Sequence, residues 1–164
     1  MMMALCGFGA LNLGNSLTLP SLRMVIRTKE WASLQVHSFT GHTEAVRCVL
    51  FTGDSTVVSG SKDTALRVWD TGSGACVRTL NGHADTILCL ALRDNLLVSG
   101  SNDTTVRIWD LPSGQCLHVL QNHPSYITVL GFNEDYTLLA TGSGGGVIKI
   151  WRIGDGLVGP GCQL

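Results

Sequence analysis

Histidine, serine and aspartate recur together in this chain at a constant spacing, and such a trio could form the catalytic triad of a hydrolase. The two complete sets are His42, Ser59 and Asp63, and His83, Ser99 and Asp103. A hydrolase serine of this kind needs a G-x-S-x-G turn between a strand and a helix. The chain contains no such turn, both serines fall within predicted strands, and the set occurs twice. These residues are therefore interpreted as structural, and no catalytic residue or enzymatic activity is predicted.

The same spacing belongs to a longer internal repeat. Gly41-His42, Gly82-His83 and Asn122-His123 follow one another at intervals of 41 and 40 residues. Tryptophans recur in step with them, at Trp69, Trp109 and Trp151. In the third unit Thr141 stands where the others have serine, and Gly145 stands where they have aspartate. A period near 40 residues indicates a repeat architecture.

Each unit reads as four short strands separated by turn residues. In the first unit the predicted strands are 45–51, 56–61, 65–70 and 75–80. A lone outer strand is predicted at 34–39, ahead of the first unit, and the third unit lacks a convincing fourth strand. The strands are mostly apolar rather than alternating, which is typical of sheets that are covered on both faces. The sequence therefore predicts an all-β fold.

With these residues in view, the chain resembles the WD40-repeat family over about residues 34–152. The match depends on the Gly-His dipeptides, on Trp69-Asp70 and Trp109-Asp110, and on the period. The resemblance implies a β-propeller, in which each repeat forms a four-stranded blade. The repeats within 25–152 are assigned to about 34–74, 75–115 and 116–152, after a poorly ordered leader at 1–24 and before a glycine-rich tail at 153–164. A closed propeller has about 4–8 blades, so the propeller is expected to be incomplete and to need missing blades or a second copy.

The resemblance also implies a buried hydrogen-bond chain within each blade. The residues assigned to it are His42, Ser59, Asp63 and Trp69; His83, Ser99, Asp103 and Trp109; and His123, Thr141 and Trp151. An indole N–H can only donate, a hydroxyl can donate and accept, and a carboxylate can accept from an imidazole. Because its acid is replaced by Gly145, the third blade is expected to be the least stable.

The pattern is closest to the F-box/WD subclass, which implies a protein-binding adaptor that recognises substrates of a ubiquitin ligase. In that subclass, basic residues at the channel rim bind phosphorylated segments, and Arg47 and Lys62 occupy such positions in the first unit. Asn102 is the counterpart of Lys62 in the second unit. The candidate partner is therefore an acidic or phosphorylated protein segment. Two alternatives stay open: these residues are merely solvated, or the chain is a general scaffold in a signalling, trafficking or RNA-processing complex.

Composition excludes several other functions. The chain has 11 Lys+Arg and 12 Asp+Glu, a formal net charge of −1, so no bulk electrostatic binding of nucleic acid or of an anionic membrane is expected. Its six cysteines form no C-x-x-C pair and no zinc-like spacing, so neither a metal nor a cofactor is predicted. Cysteines used as small buried hydrophobic residues indicate a reducing compartment, the cytoplasm or the nucleus. The chain also contains no apolar run long enough for a membrane span.

Overall fold

A computed structural model describes residues 37–53 and 55–154 of the chain. The predicted leader at 1–24, residues 34–36 of the predicted outer strand, and the tail from residue 155 lie outside the described residues. Within the described ranges the fold is all-β, and it consists of three antiparallel sheets. We call these sheets blades 1, 2 and 3, in chain order.

The strand bounds follow the repeat. Blade 1 contains β1 (Val46–Phe51), β2 (Thr56–Ser61), β3 (Leu66–Asp70) and β4 (Cys76–Leu80). Blade 2 contains β5 (Ile87–Arg93), β6 (Leu96–Ser101), β7 (Val106–Asp110) and β8 (Cys116–Leu120). Blade 3 contains β9 (Ile127–Phe132), β10 (Leu138–Ser143) and β11 (Ile148–Arg152). The four strands predicted for the first unit are confirmed to within one residue at each end.

Consecutive strands pair with one another, so each blade is a simple antiparallel meander. The turns between its second and third strands need a left-handed residue, with φ of 71° at Thr64, 69° at Thr104 and 76° at Gly146. A β-branched residue is strained in that conformation, whereas glycine adopts it freely. The third turn therefore has the residue that fits best, in the blade that otherwise departs most from the repeat.

The apolar core lies between the blades. Leu66 and Leu80 of blade 1 pack against Ile87 and Trp109 of blade 2, and all four side chains are buried. A second cluster joins blade 2 to blade 3 through residues that include Val98, Ile127 and Leu139. Burial of one such side chain contributes roughly 1.5–3 kcal/mol, so each of these contacts stabilises the two blades that it joins.

Of the outer strand predicted at 34–39, the structure describes only residues 37–39. His37 and Phe39 lie outside every described strand. Phe39 instead packs on the indole of Trp69, with ring centroids 5.5 Å apart. The ring of Phe39 therefore packs on blade 1, and the backbone at this residue is not part of a described sheet.

Candidate functional site

The structure brings the four repeated polar residues of blade 1 into one hydrogen-bond chain. Trp69 Nε1 donates to Ser59 Oγ over 2.8 Å, and Ser59 Oγ lies 2.7 Å from His42 Nε2. His42 Nδ1 lies 2.8 Å from Asp63 Oδ2. The Asp63 carboxylate can only accept, so the proton of a neutral imidazole resides on Nδ1. The free Nε2 then accepts from the Ser59 hydroxyl, which itself accepts from the indole. When the imidazole is neutral, every polar atom of this hydrogen-bond chain thus has a partner.

The aspartate ends this chain and also fixes the loop before β1. Asp63 accepts hydrogen bonds from the backbone N–H groups of Thr43 and Ala65, at 3.0 and 3.1 Å. Burial alone would raise the pKa of Asp63, but the hydrogen bonds from His42 and from these two amides lower it below 3.8. The carboxylate therefore links the Gly-His loop to the turn between β2 and β3.

Blade 2 repeats the arrangement almost atom for atom. Trp109 Nε1 donates to Ser99 Oγ over 2.9 Å, and Ser99 Oγ lies 2.7 Å from His83 Nε2. His83 Nδ1 lies 2.8 Å from Asp103 Oδ2. Burial lowers the pKa of His83 below 6.5, although Asp103 opposes that change. Burial would raise the pKa of Asp103, but hydrogen bonds from Thr105, the Ala84 amide and His83 lower it to about 2.

Blade 3 contains only the first part of the chain. Trp151 Nε1 donates to Thr141 Oγ1 over 2.8 Å, and Thr141 Oγ1 lies 2.7 Å from His123 Nε2. His123 Nδ1 is buried and has no hydrogen-bond partner. Gly145 explains this, because it has no carboxylate to accept from the imidazole. Pro124, at the position of Thr43 and Ala84, also lacks the amide proton that such a carboxylate accepts in blades 1 and 2.

The geometry also decides what these residues can do chemically. Ser99 is fully buried and Ser59 is nearly so, and each hydroxyl is held between an indole and an imidazole. A nucleophilic serine must reach a substrate carbonyl, and no substrate can reach these oxygens. Among residues 37–53 and 55–154, no cluster of His, Cys, Asp and Glu side chains could hold a metal ion.

A repeated cation on each tryptophan was not identified from the sequence. Arg67 lies 6.0 Å from the ring centre of Trp69, Arg107 lies 5.9 Å from that of Trp109, and Lys149 lies 5.7 Å from that of Trp151. Such contacts contribute about 0.5–1 kcal/mol at exposed sites and more when buried. The signal was present as a basic residue two positions before every repeated tryptophan, in RVW, RIW and KIW.

The same cations explain the glycine of the Gly-His dipeptide. A Cβ atom at Gly82 would lie 2.9 Å from Arg107 Nη1 and 3.1 Å from the far edge of the Trp109 ring. Its φ of 156° is also one that side chains rarely adopt. In blade 3, Asn122 takes this position with φ of 76°, a left-handed conformation that asparagine tolerates, and its carbonyl accepts a hydrogen bond from Lys149 Nζ.

The sequence-predicted binding residues lie at one end of the blades, which we call the rim. The rim comprises the loops before β1, β5 and β9, the first two residues of those strands, and the turns after β2, β6 and β10. Lys62 Nζ lies 3.5 Å from Glu44 Oε2, and both side chains are exposed. In blade 2, Asn102 Nδ2 donates to Asp85 Oδ2 over 2.8 Å. Lys62 and Asn102 therefore each join a turn to the neighbouring loop.

Arg47 differs from these two residues. It is exposed on β1, and it makes no hydrogen bond or ion pair within the described ranges. Its counterparts are Leu88 in blade 2 and Thr128 in blade 3, so the arginine is specific to blade 1. Lys62 lies close to the start of β1, and so to Arg47, because its backbone N–H donates to the carbonyl oxygen of Ala45 over 2.9 Å. Blade 1 is the only described blade with two cations at the rim.

None of the described residues lies in a helix that could span a membrane.

Comparison with known proteins identifies the repeats. A family model described as "WD domain, G-beta repeat" matches residues 33–70, 74–110 and 114–152. The F-box/WD repeat-containing protein 10 of Mus musculus is 43% identical over 58 residues, which are 35% of this chain and 6% of that protein. The E3 ubiquitin-protein ligase COP1 of Pisum sativum is 45% identical over 53 residues, which are 32% of this chain and 8% of that protein.

A solved structure shows the same architecture. The crystal structure of the computationally designed Ika8 protein superposes with a TM-score of 0.65 at 36% sequence identity, over 72% of this chain and 36% of the designed one. The matches to the mouse and pea proteins span less than a tenth of either relative. The three family matches together cover well over half of the sequence. The chain therefore belongs to the WD40 repeat family, whose repeats serve as protein-interaction modules.

Proposed function

We propose that this chain binds an acidic or phosphorylated segment of a partner protein at the rim of blade 1, through Arg47 and Lys62. The observation that carries the proposal is Arg47, an exposed guanidinium in a mostly apolar strand with no partner among the described residues. Guanidinium groups bind carboxylates and phosphates through paired, charge-assisted hydrogen bonds. A partner with an anionic side chain would supply what Arg47 lacks.

Lys62 would reinforce that contact at little cost. Its ion pair with Glu44 is exposed on both sides. Such surface pairs contribute only about 0–1 kcal/mol, so exchanging Glu44 for a phosphate loses little and gains charge. Glu44 also repels an incoming anion, so removing its charge should increase the affinity for an anionic segment.

The test uses fluorescent peptide pools with degenerate flanks around a fixed phosphoserine, and the same pools with serine in its place. We expect the phosphorylated pool to bind more tightly, and the double variant R47A/K62A to weaken that binding at least tenfold, since each lost charged hydrogen bond costs about 1.5–3 kcal/mol. The variant E44Q should strengthen binding because it removes the repulsion. Arg152→Ala, at the opposite end of blade 3, is the matched control and should change little. Equal binding of both pools, or indifference to R47A/K62A, would refute the proposal.

The biological role proposed for this binding is substrate recognition within a ubiquitin ligase. The similarity to an F-box/WD protein and to an E3 ligase supports it. The alternative is a general, non-enzymatic scaffold. Cells expressing the chain under proteasome inhibition distinguish the two. A ligase adaptor should co-purify with a cullin and with polyubiquitylated proteins in a manner that depends on Arg47, whereas a scaffold should capture its partners without either.

We also propose that the chain works in a reducing compartment, the cytoplasm or the nucleus. Cys48, Cys76, Cys89 and Cys116 are all free thiols. Burial raises the pKa of Cys48 to about 11 and that of Cys89 to about 12, so both are neutral thiols at physiological pH. Thiols of this kind act as small apolar side chains between blades, a use that suits compartments where disulfides do not form.

A closed ring is further proposed to need blades beyond the three described.

A further inference from the structure

Neighbouring blades are joined by a repeated seat, in which an isoleucine of one blade lies on a glycine of the blade before it. A Cβ atom at Gly60 would lie 2.7 Å from Ile87 Cγ2, and one at Gly100 would lie 2.6 Å from Ile127 Cγ2. Both isoleucines are completely buried. Glycine is therefore required at these strand positions because the isoleucine of the next blade fills the space of a side chain.

Both halves of this seat recur at the two ends of the described arc, and no described residue of another blade occupies either of them. Val46 has the repeat position of Ile87 and Ile127, yet it is 49% exposed. Gly142 has the position of Gly60 and Gly100, and a Cβ there would meet only Val129 of its own blade.

Gly142 itself is buried in its sheet, but the side chains around both positions are apolar and exposed. On blade 1 the neighbours of Val46 on this face are Val49 and Phe51, and on blade 3 those of Gly142 are Val129, Ile148 and Ile150; all five are at least 58% exposed. Their register matches the two internal interfaces, where Leu90 and Leu92 of blade 2 pack into the core shared with blade 1. Each end therefore presents one half of an interface that the chain already forms twice.

The side-chain volumes match across these two ends. At the internal seats the glycine is flanked by a cysteine from its own blade, with Cys48 Sγ 2.6 Å and Cys89 Sγ 2.7 Å from the Cβ positions of Gly60 and Gly100. At Gly142 the flanking residue is the bulkier Val129, with Cγ1 at 2.6 Å. The residue at the other end is Val46, which is smaller than isoleucine by one methylene. A valine–valine pair has as many side-chain heavy atoms as an isoleucine–cysteine pair, and volume-conserving exchanges of this kind are tolerated best in packed interfaces.

We propose that blade 3 of one copy of this chain docks on blade 1 of a second copy, with Val46 seated on Gly142. The compensating change at Val46 and Val129 is the reason to assign the two faces to each other. A head-to-tail contact of this type closes into a ring if the rotation allows it, and otherwise forms an open polymer. The described blades of two copies number six, within the range of about 4–8 that closed propellers use. The junction would form twice in a dimer, and the ring would have no open blade.

The experiment measures the mass of the full 164-residue chain by light scattering on a sizing column, with tryptophan fluorescence as the check on folding. We expect a particle of two 17.5 kDa chains. The variants V46D and G142L should each halve the measured mass, because each blocks one half of the seat. Val119→Asp places the same charge on an exposed valine of the middle blade and should leave the dimer intact.

Mixing the two blocked variants separates this contact from other modes of association. V46D leaves Gly142 unchanged and G142L leaves Val46 unchanged, so an equimolar mixture should recover a particle of two chains held by one junction. A wild-type monomer, a dimer that neither substitution affects, or a mixture that stays monomeric would each overturn the proposal. Open polymers that lengthen with concentration would overturn the closed ring.

Discussion

His83 and Asp103 are joined by a hydrogen bond of 2.8 Å between Nδ1 and Oδ2, and the imidazole side chain is fully buried. The corresponding Nδ1 of His123 in blade 3 is also buried, but it has no partner. A buried polar group without a hydrogen bond costs about 1–3 kcal/mol. One difference, aspartate against Gly145, thus separates a satisfied blade from one with an unpaired imidazole nitrogen, and we expect blade 3 to be the least stable of the three.

The substitution Gly145→Asp should stabilise blade 3. A Cβ at Gly145 would lie 3.4 Å from Ser125 Cβ and 3.5 Å from Pro124 Cγ, which are ordinary contacts. The new carboxylate could accept from His123 Nδ1 and from the amide of Val147, the counterpart of Ala65 and Thr105. Pro124 offers no third donor, so we expect a gain of about 1 kcal/mol in the free energy of unfolding, measured by urea titration of tryptophan fluorescence.

Gly145→Ala is the control for that experiment. It adds the same Cβ and the same restriction of the unfolded chain without the carboxylate. If alanine stabilises the chain as much as aspartate does, the gain comes from the backbone and the hydrogen-bond explanation is wrong.

Ser99 should be much more sensitive to alanine than to threonine. Ser99→Ala removes the partner of both Trp109 Nε1 and His83 Nε2, two buried groups, so we expect a loss of about 2–4 kcal/mol in the urea experiment. Ser99→Thr should cost far less, because Thr141 makes the same two contacts in blade 3 at 2.8 and 2.7 Å. Equal losses for alanine and threonine would mean that the site responds to packing alone.

The repeat predicts the backbone well and the side-chain contacts less completely. The strands of blade 1 follow from apolar runs between turn residues, and the spacing of Ser59 and Asp63 before Trp69 fits a strand, a turn and a strand. The pair between Lys62 and Glu44, by contrast, depends on how two flexible side chains cross from a turn to a loop. No periodicity encodes that contact.

Other features needed knowledge of what a position touches in space. The seat of Ile87 on Gly60 joins residues of different blades, so a glycine in a strand gives no hint of its partner. The sequence shows a proline at 124 and a glycine at 145 in place of the amide donor and the acid. Only the structure shows that the missing acid leaves His123 Nδ1 buried without a partner.

Stability should fall steadily as the solution becomes more acidic, in two separate ranges. The pKa of folded His83 lies below 6.5 because burial disfavours the imidazolium, despite the opposing effect of Asp103. The unfolded chain therefore takes up this proton first, and stability is complete above pH 6.5 and decreases as the pH falls below it. His123 acts in the same direction, since burial and then the charge of Lys149 lower its pKa.

The second range belongs to the aspartates whose pKa the fold lowers, which include Asp63 and, with the largest shift, Asp103. The folded pKa of Asp103, about 2, lies below the ordinary value of 3.8, since its hydrogen bonds outweigh the effect of burial. Its contribution, roughly 2 kcal/mol, is therefore complete above pH 3.8 and is lost as the pH falls from 3.8 towards 2. Urea midpoints measured between pH 7.5 and 3 should decrease throughout, and Asp103→Asn should make the decrease below pH 4 smaller, with the other aspartates accounting for the rest. A midpoint that rises between pH 7 and 5 would show that the buried imidazoles gain protons in the folded state, and would contradict the neutral, Nδ1-protonated form on which the hydrogen-bond chain depends.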